Sequence, residues 1–176
     1  MKYFFSILFV FFFLSCENDV TGVDDLLDNP LDENQVDYDV PAFVFYPSLF
    51  DVSLGQSFQT QIYAMGVENL RGVNVLIEYD ETKLSLQNLN NGSLADGTNP
   101  LFFTDTDTPG RIEISSVYMS ADSGSVDGNL KIAELIFSTI SIGSSTIDFM
   151  NESEMLDPDD NLIEIKGFAQ GVVNAN

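Results

Sequence analysis

The sequence predicts an all-β protein, folded as an antiparallel β-sandwich of two sheets. Three observations indicate this class. Apolar and polar residues alternate over short runs, turn-forming residues separate the runs, and no stretch keeps a helical period for three turns. The alternation is clear at Phe58, Thr60, Ile62 and Ala64. Because every second side chain of a strand points to the same face, such a run has one face for a core.

The predicted strands follow one another along the body of the chain. They cover residues 43–46, 57–65, 70–79, 84–89, 101–103, 111–119, 129–139, 146–150, 162–166 and 171–173. Turn signals lie between them, including Asn90-Asn91-Gly92, Thr108-Pro109-Gly110 and Asp127-Gly128. A body of this size buries about two thirds of its surface on folding, which is enough for stability without disulfides.

The first residues predict export and lipidation. Lys2 precedes an apolar run that ends at Leu14 and is interrupted by Ser6, a length typical of a secretory signal rather than a membrane-spanning helix. Cys16, the single cysteine of the chain, directly follows the small residue Ser15. This arrangement resembles a bacterial lipoprotein signal, with Cys16 as the lipidation site. The alternatives are an ordinary signal peptide with an incidental cysteine, or a short membrane anchor.

The segment after Cys16 predicts a tether. Residues 16–41 are rich in Asp and Glu, contain no Lys or Arg, and have little apolar content. We therefore expect a lipoprotein signal peptide over residues 1–15, an acidic, disordered and flexible tether over 16–41, and one domain over 42–176. The lipoprotein resemblance implies the outer membrane or cell surface of a Gram-negative bacterium.

The charge balance excludes several functions. The chain of 176 residues has 28 Asp plus Glu, 6 Lys plus Arg, no His and a net charge of −22. So acidic a protein repels phosphate backbones, which argues against nucleic-acid binding. Without histidine it has no Ser-His-Asp triad and no His-ligated zinc. Carboxylate pairs are numerous, but none is distinguished by its context, so we assign no catalytic residue and expect no enzyme.

Several blocks of the body resemble cohesin domains. The segment over residues 70–84, LRGVNVLIEYDETKL, has a strand ending in Tyr79-Asp80, a short turn, and Leu84 at the start of the next strand. Residues 127–137 and 143–149 are similar to two later cohesin strands. Residues 157–161 and 171–173 are similar to the closing loop and last strand. The blocks occur in the family's order and together span almost the whole body.

The resemblance implies a nine-stranded sandwich of jelly-roll topology that is not an enzyme. It implies a dockerin as partner, a small calcium-loaded module carried by enzymes that degrade polysaccharides. It also implies kinship with sandwich domains that bind carbohydrate. Three functions therefore stay open: docking of a dockerin-like protein at the cell envelope, direct binding of a polysaccharide through Tyr46, Tyr63 or Tyr118, and a structural part in an envelope assembly.

The candidate partner-binding residues lie on the sheet that the resemblance implies for docking. If the residues alternating with Val73, Val75 and Ile77 face outward, Leu76 is an apolar anchor between polar neighbours. The alternative is that another part of the chain covers it. Ile112 and Ile114 alternate with Tyr118, which implies either a bulge in this strand or a buried Tyr118 ring. The predicted set is Asn74, Leu76, Glu78, Tyr118, Ser120 and Ala121.

Residues 157–161 contain a pattern of clustered oxygen ligands. Asp157, Asp159 and Asn161 match the start of a calcium loop, but Leu162 and Phe168 stand where an EF-hand has Gly and Glu. We therefore exclude an EF-hand. A solvated turn is the interpretation that the sequence favours, and a calcium site at the sandwich edge is the alternative. No other cofactor is expected.

Overall fold

Strands make up the regular structure of this protein. The computed structural model describes residues 39–92, 94, 99–119 and 124–176. Within these ranges the chain forms thirteen strands and no helix. They are β1 (Ala42–Tyr46), β2 (Leu49–Val52), β3 (Ser57–Leu70), β4 (Gly72–Tyr79), β5 (Leu84–Asn91), β6 (Leu101–Asp105), β7 (Arg111–Val117), β8 (Val126–Thr139), β9 (Gly143–Phe149), β10 (Glu154–Leu156), β11 (Leu162–Ile163), β12 (Gly167–Phe168) and β13 (Gly171–Ala175).

The strands form two sheets. The first has five strands in the order β12-β1-β3-β8-β5. The second has eight: β11-β10-β4-β9-β13-β2 form one path, β7 pairs with β4, and β6 pairs with β7. Most pairs are antiparallel, as predicted, but β1 with β12 and β2 with β13 run parallel. Both sheets are therefore mixed, which corrects the purely antiparallel arrangement expected from the sequence.

The core lies between the two sheets. Alternating residues of both sheets supply it, as the burial of every second residue shows along much of β3 in the first sheet and along β7 in the second. Aromatic rings pack at one part of it, where the ring centroids of Phe45 and Phe149 are 4.1 Å apart and those of Phe43 and Phe149 are 5.6 Å apart. Tyr79 meets Phe137 edge to face at 5.1 Å.

The observed strands differ from the predicted ones at their ends. The strand predicted over 70–79 begins at Gly72, since Leu70 still belongs to β3 and Arg71 lies between the two strands. The strand predicted over 162–166 is shorter, because only Leu162 and Ile163 pair with β10. The short strands β2, β10 and β12 are missing from the prediction, since two to four residues carry too little alternation to be recognised.

The predicted signal peptide, Cys16 and most of the predicted tether lie outside the described residues. In the part of the chain that the structure describes, no helix is long and apolar enough to cross a membrane.

Candidate docking face

The candidate site is the outer face of the eight-stranded sheet. Val73, Val75 and Ile77 of β4 belong to the core, so the residues that alternate with them point away from it. Strands β7 and β6 continue this face on one side of β4, and β10 and β11 continue it on the other. We call the outward side chains of β4, β6, β7, β10 and β11 the docking face.

An apolar row crosses the docking face from strand to strand. The register places Leu162, Leu156, Gly72, Val117 and Leu101 side by side on β11, β10, β4, β7 and β6. Because neighbouring strands lie about 4.8 Å apart, the row is about 19 Å long. Its two ends are exposed, Leu162 by 67% and Leu101 by 49%. Leu156 and Val117 are half-buried and Gly72 is buried, so the exposed apolar surface lies at the two ends of the row. Grouped apolar side chains on one face are typical of interaction sites.

A second row runs beside the apolar one. It places Phe103, Ser115, Asn74 and Glu154 side by side. The Phe103 ring is 63% exposed. The Ser115 hydroxyl donates to Asn74 Oδ1 at 3.1 Å, which holds the amide against the sheet. The predicted outward direction of Asn74 is therefore observed, and an exposed aromatic ring lies two strands away from it.

Leu76 points to the docking face but is only 6% exposed. The chain leaves β9 at Phe149, forms a bulge over residues 150–153, and returns to β4 as β10. Within this bulge, Met150 N donates to Leu76 O at 2.8 Å and Ser153 Oγ bonds both backbone groups of Leu76. The alternative in which another part of the chain covers Leu76 is the one observed. The expectation of an exposed anchor at Leu76 is wrong.

Tyr118 lies on the opposite side from the docking face. The pairing of β7 with β4 has no bulge, and Ile112 and Ile114 on the inner side of β7 are fully buried. Tyr118 follows in the same phase and packs against the core, where it is half-buried. Of the two alternatives for its ring, burial is correct, so Tyr118 does not belong to the outward set. Ser120 and Ala121 lie outside the described residues.

Acidic side chains lie along the far part of the docking face. Glu78 is exposed, and the strand register places it opposite Arg111 on β7 and opposite Asp148 on β9. Together with Asp80, Glu78 and Asp148 line a notch of about 230 Å³. Glu113 and Asp105 are adjacent in register on β7 and β6. The apolar row is therefore bounded on one side by a predominantly negative surface.

The Tyr79-Asp80 block has a structural explanation. Asp80 Oδ1 accepts hydrogen bonds from Thr82 Oγ1 at 2.6 Å and Thr82 N at 2.9 Å, which closes the turn from β4 to β5. These bonds from Thr82, with a smaller contribution from the charge of Lys83, lower the pKa of Asp80 below its ordinary value of 3.8. Asp80 therefore holds the turn that sets β5 against β8.

The residues proposed for calcium form a turn closed by N–H groups. Asp157 Oδ1 accepts from the backbone N of Asp159 and of Asn161, both at 2.9 Å, and the Asn161 amide donates to Asp157 Oδ2 at 3.1 Å. The bonds from Asn161 lower the pKa of Asp157. These bonds close the loop as a turn, the interpretation that the sequence favours. Among the described residues no group of three or more His, Cys, Asp or Glu could hold a metal ion.

Comparison with solved structures identifies the architecture. The fold matches a non-cellulosomal cohesin from Archaeoglobus fulgidus with a TM-score of 0.60 and 18% identity, over 73% of this chain and 86% of that chain. The fold is cohesin-like. It also matches the sixth cohesin of scaffoldin B from Acetivibrio cellulolyticus, solved in complex with a Cel5 dockerin mutant, with a TM-score of 0.63 and 15% identity, over 77% and 96% of the two chains.

A third structure agrees with these two. It is the type I Coh-OlpC–Doc435 cohesin–dockerin complex from Clostridium thermocellum, matched with a TM-score of 0.60 and 15% identity, over 80% and 97% of the two chains. No known family profile matches the sequence, and no curated protein matches it. The likeness is therefore one of fold. The predicted all-β jelly-roll sandwich is confirmed.

The exposed apolar residues of this cohesin-like sandwich were missed by the sequence analysis. Leu101 and Phe103 alternate within β6, but the run Leu101-Phe102-Phe103 is apolar throughout and does not indicate which side faces out. Leu156 and Leu162 flank the turn over 157–161. Only the pairing of β10 with β4 and β11 brings these two leucines into one row with Gly72.

Proposed function

We propose that this chain is a non-catalytic binding module that docks a dockerin-type protein partner through the docking face. The observation that carries the proposal is the apolar row that crosses five strands of a cohesin-like sandwich, with the exposed Phe103 ring beside it. The resemblance of the sequence to cohesins supports the same partner class. Two of the similar cohesin structures are complexes with dockerins.

The chemistry of the face suits a protein partner. Protein interfaces have an apolar centre with a polar rim, and their binding energy is concentrated in a few buried anchors. Phe103, Leu101 and Leu162 are large apolar side chains that lose much of their exposure when covered. They project from paired strands, so little backbone freedom is lost on binding.

The charge of the rim adds specificity. Glu154, Glu78 and Asp148 lie on or beside the docking face, so a partner with Lys or Arg around an apolar stripe would be attracted to it. A partner with acidic residues at those positions would be repelled.

The setting of the module forms the second part of the proposal. Lipid at Cys16 would anchor the chain in the outer membrane or at the surface of a Gram-negative cell, and residues 16–41 would act as an acidic spacer. The partner would carry an enzyme that degrades polysaccharides, held near the envelope. The sequence around Cys16 and its composition up to residue 41 support this part.

The test uses the full chain in detergent and a panel of purified, calcium-loaded dockerin modules, with binding measured by calorimetry. We expect a 1:1 complex with at least one module. Phe103→Asp and Leu162→Asp should each weaken it about thirtyfold or more, the range of an interface anchor, and Asn74→Ala should weaken it less.

The matched control is Gln59→Asp, an exposed residue on the five-stranded sheet. It adds the same negative charge on the opposite side of the sandwich and should leave the affinity unchanged. Binding to no dockerin of the panel, or equal binding by all variants, would contradict the proposal.

A further inference from the structure

The outer face of the five-stranded sheet differs in chemistry from the docking face. A small apolar cluster lies at its β1 edge, formed by Ala42, Val44, Met65 and Ala169, with Tyr46 and Tyr63 packed against it and half-buried. Among the described residues, none of the large apolar side chains that are exposed belongs to β1, β3, β5 or β8. This face therefore has no apolar centre of the kind that a protein partner requires.

Polar side chains form a row across four strands of this face. The register places Tyr46 of β1, Gln61 of β3, Glu134 of β8 and Asn90 of β5 side by side. With strands about 4.8 Å apart, the row is about 14 Å long. An aromatic ring lies at one end, and amide and carboxylate groups occupy the rest. Such a row is long enough to contact several linked sugar rings.

Hydrogen bonds order this row. The Tyr63 hydroxyl donates to Gln61 Oε1 at 2.6 Å, so the Gln61 NH₂ group is directed to other acceptors. Asn90 Nδ2 donates to Glu134 Oε1 at 3.1 Å, and Asn88 Nδ2 donates to Asn90 Oδ1 at 3.1 Å. Amides and carboxylates held in this way offer donors and acceptors at fixed spacing, which is how vicinal hydroxyl groups are recognised.

The two tyrosines form a pair at the edge. Val44 and Tyr46 lie opposite Tyr63 and Gln61, so the two rings point to the same side of the sheet from adjacent strands. Burial, and then the neighbouring Tyr46, raise the pKa of Tyr63, in agreement with their closeness. Partly exposed tyrosine rings combine an apolar surface with a polar tip, the combination that packs against the C–H face of a sugar ring.

The charge of the face restricts the ligand. Glu134 within the row and Lys131, which lies opposite Tyr63, carry charges of opposite sign. The chain as a whole carries −22. A polyanion would be repelled by the protein and would find no cationic cluster in this row, whereas an uncharged chain of hydroxyl groups meets only hydrogen-bonding groups and rings.

We propose that the outer face of the five-stranded sheet binds a neutral polysaccharide, with Tyr46 and Tyr63 stacking on sugar rings and Gln61, Glu134 and Asn90 bonding their hydroxyl groups. This site is independent of the docking face, since the two lie on opposite sides of the sandwich. A partner protein and a glycan could therefore be held at the same time.

The test is affinity electrophoresis of the full chain in native detergent gels that contain a soluble polysaccharide. The probes are mixed-linkage β-glucan, xyloglucan and galactomannan, with polygalacturonate as the anionic comparison. We expect at least one neutral probe to retard the protein and polygalacturonate to have no effect. Tyr46→Ala and Gln61→Ala should each lower the affinity about tenfold, the ratio expected for the loss of one ring or hydrogen-bonding contact.

Two controls make the result specific to this face. Phe103→Asp alters the docking face and should leave retardation unchanged, so failure of the docking proposal and failure of this one are distinguishable. Asn90→Ala changes an exposed side chain of the row and should also lower the affinity. This variant tests the proposal even if Tyr46→Ala lowers the melting temperature. Absence of retardation by every neutral probe would overturn the proposal. Equal retardation by polygalacturonate would overturn it too, as would full retardation of the Tyr46, Gln61 and Asn90 variants.

Discussion

Ser153 bonds both backbone groups of Leu76. Its Oγ accepts from Leu76 N at 3.0 Å and donates to Leu76 O at 3.2 Å, and both residues are buried. Strand β9 pairs with β4 only from Ile77 onward, and β10 pairs only up to Asn74. The hydroxyl thus takes the place of a strand neighbour in the gap, where an unpaired backbone N–H would be costly.

Replacing Ser153 by alanine should destabilise the fold. Ser153→Ala leaves the buried Leu76 N–H without its acceptor, so the free energy of unfolding should fall by about 1–3 kcal/mol. Urea unfolding of the full chain, followed by circular dichroism, measures this change.

Ser116→Ala is the matched control for that variant. Ser116 is fully buried, and its Oγ has no hydrogen-bond partner in the described ranges. Because no bond is lost and a buried polar group is removed, stability should stay unchanged or rise. Equal losses for the two serines would contradict the role given to Ser153.

The stacked rings of the core predict a larger effect. Phe45 is fully buried and its ring centroid lies 4.1 Å from that of Phe149. Phe45→Ala should lower the free energy of unfolding by about 3–5 kcal/mol, since it removes apolar contacts and leaves a cavity. The exposed Phe103 provides the comparison, and Phe103→Ala should change stability by about 0.5 kcal/mol or less. A small loss for Phe45→Ala would argue against this packing.

The turn between β4 and β5 predicts a measurable change in pKa. Thr82→Ala removes the hydroxyl that bonds Asp80, so the pKa of Asp80 should rise toward 3.8. The lowered pKa means that the stabilisation by Asp80 is present above pH 3.8 and is lost as the pH falls through the folded-state value. Carbon NMR titration of the carboxyl groups measures the shift. Asp157, whose pKa is lowered by Asn161 instead, should not respond.

The proposed lipidation at Cys16 predicts a change in location when this residue is replaced. If Cys16 accepts the lipid as proposed, Cys16→Ser should move the protein from the membrane fraction to the soluble fraction. Ser15→Ala keeps a small residue before the cysteine and should leave the protein with membranes. Fractionation of expressing cells with detection by immunoblot is the measurement. Membrane association of the Cys16→Ser variant would refute lipid anchoring.

Alternation made the long strands predictable. In β3 and β7, the apolar residues of the alternating pattern are the buried ones, because each inward residue meets the opposite sheet. The direction of Asn74 followed from the same rule. Leu76 and Tyr118 did not follow, because their exposure depends on segments far away in sequence. Leu76 is buried next to the segment over residues 150–153, which follows it by more than seventy residues. The inward direction of Tyr118 follows from the regular pairing of β7 with β4.

The sequence by itself determined the fold class, the acidic surface and the absence of histidine chemistry, since composition and period-two alternation act locally. Tertiary structure alone decided the two outer faces. Which leucines share a row with Gly72, and which amides share one with Tyr46, depends on strand register. Register is a relation between distant segments, and a shift of one residue would turn every side chain to the other face.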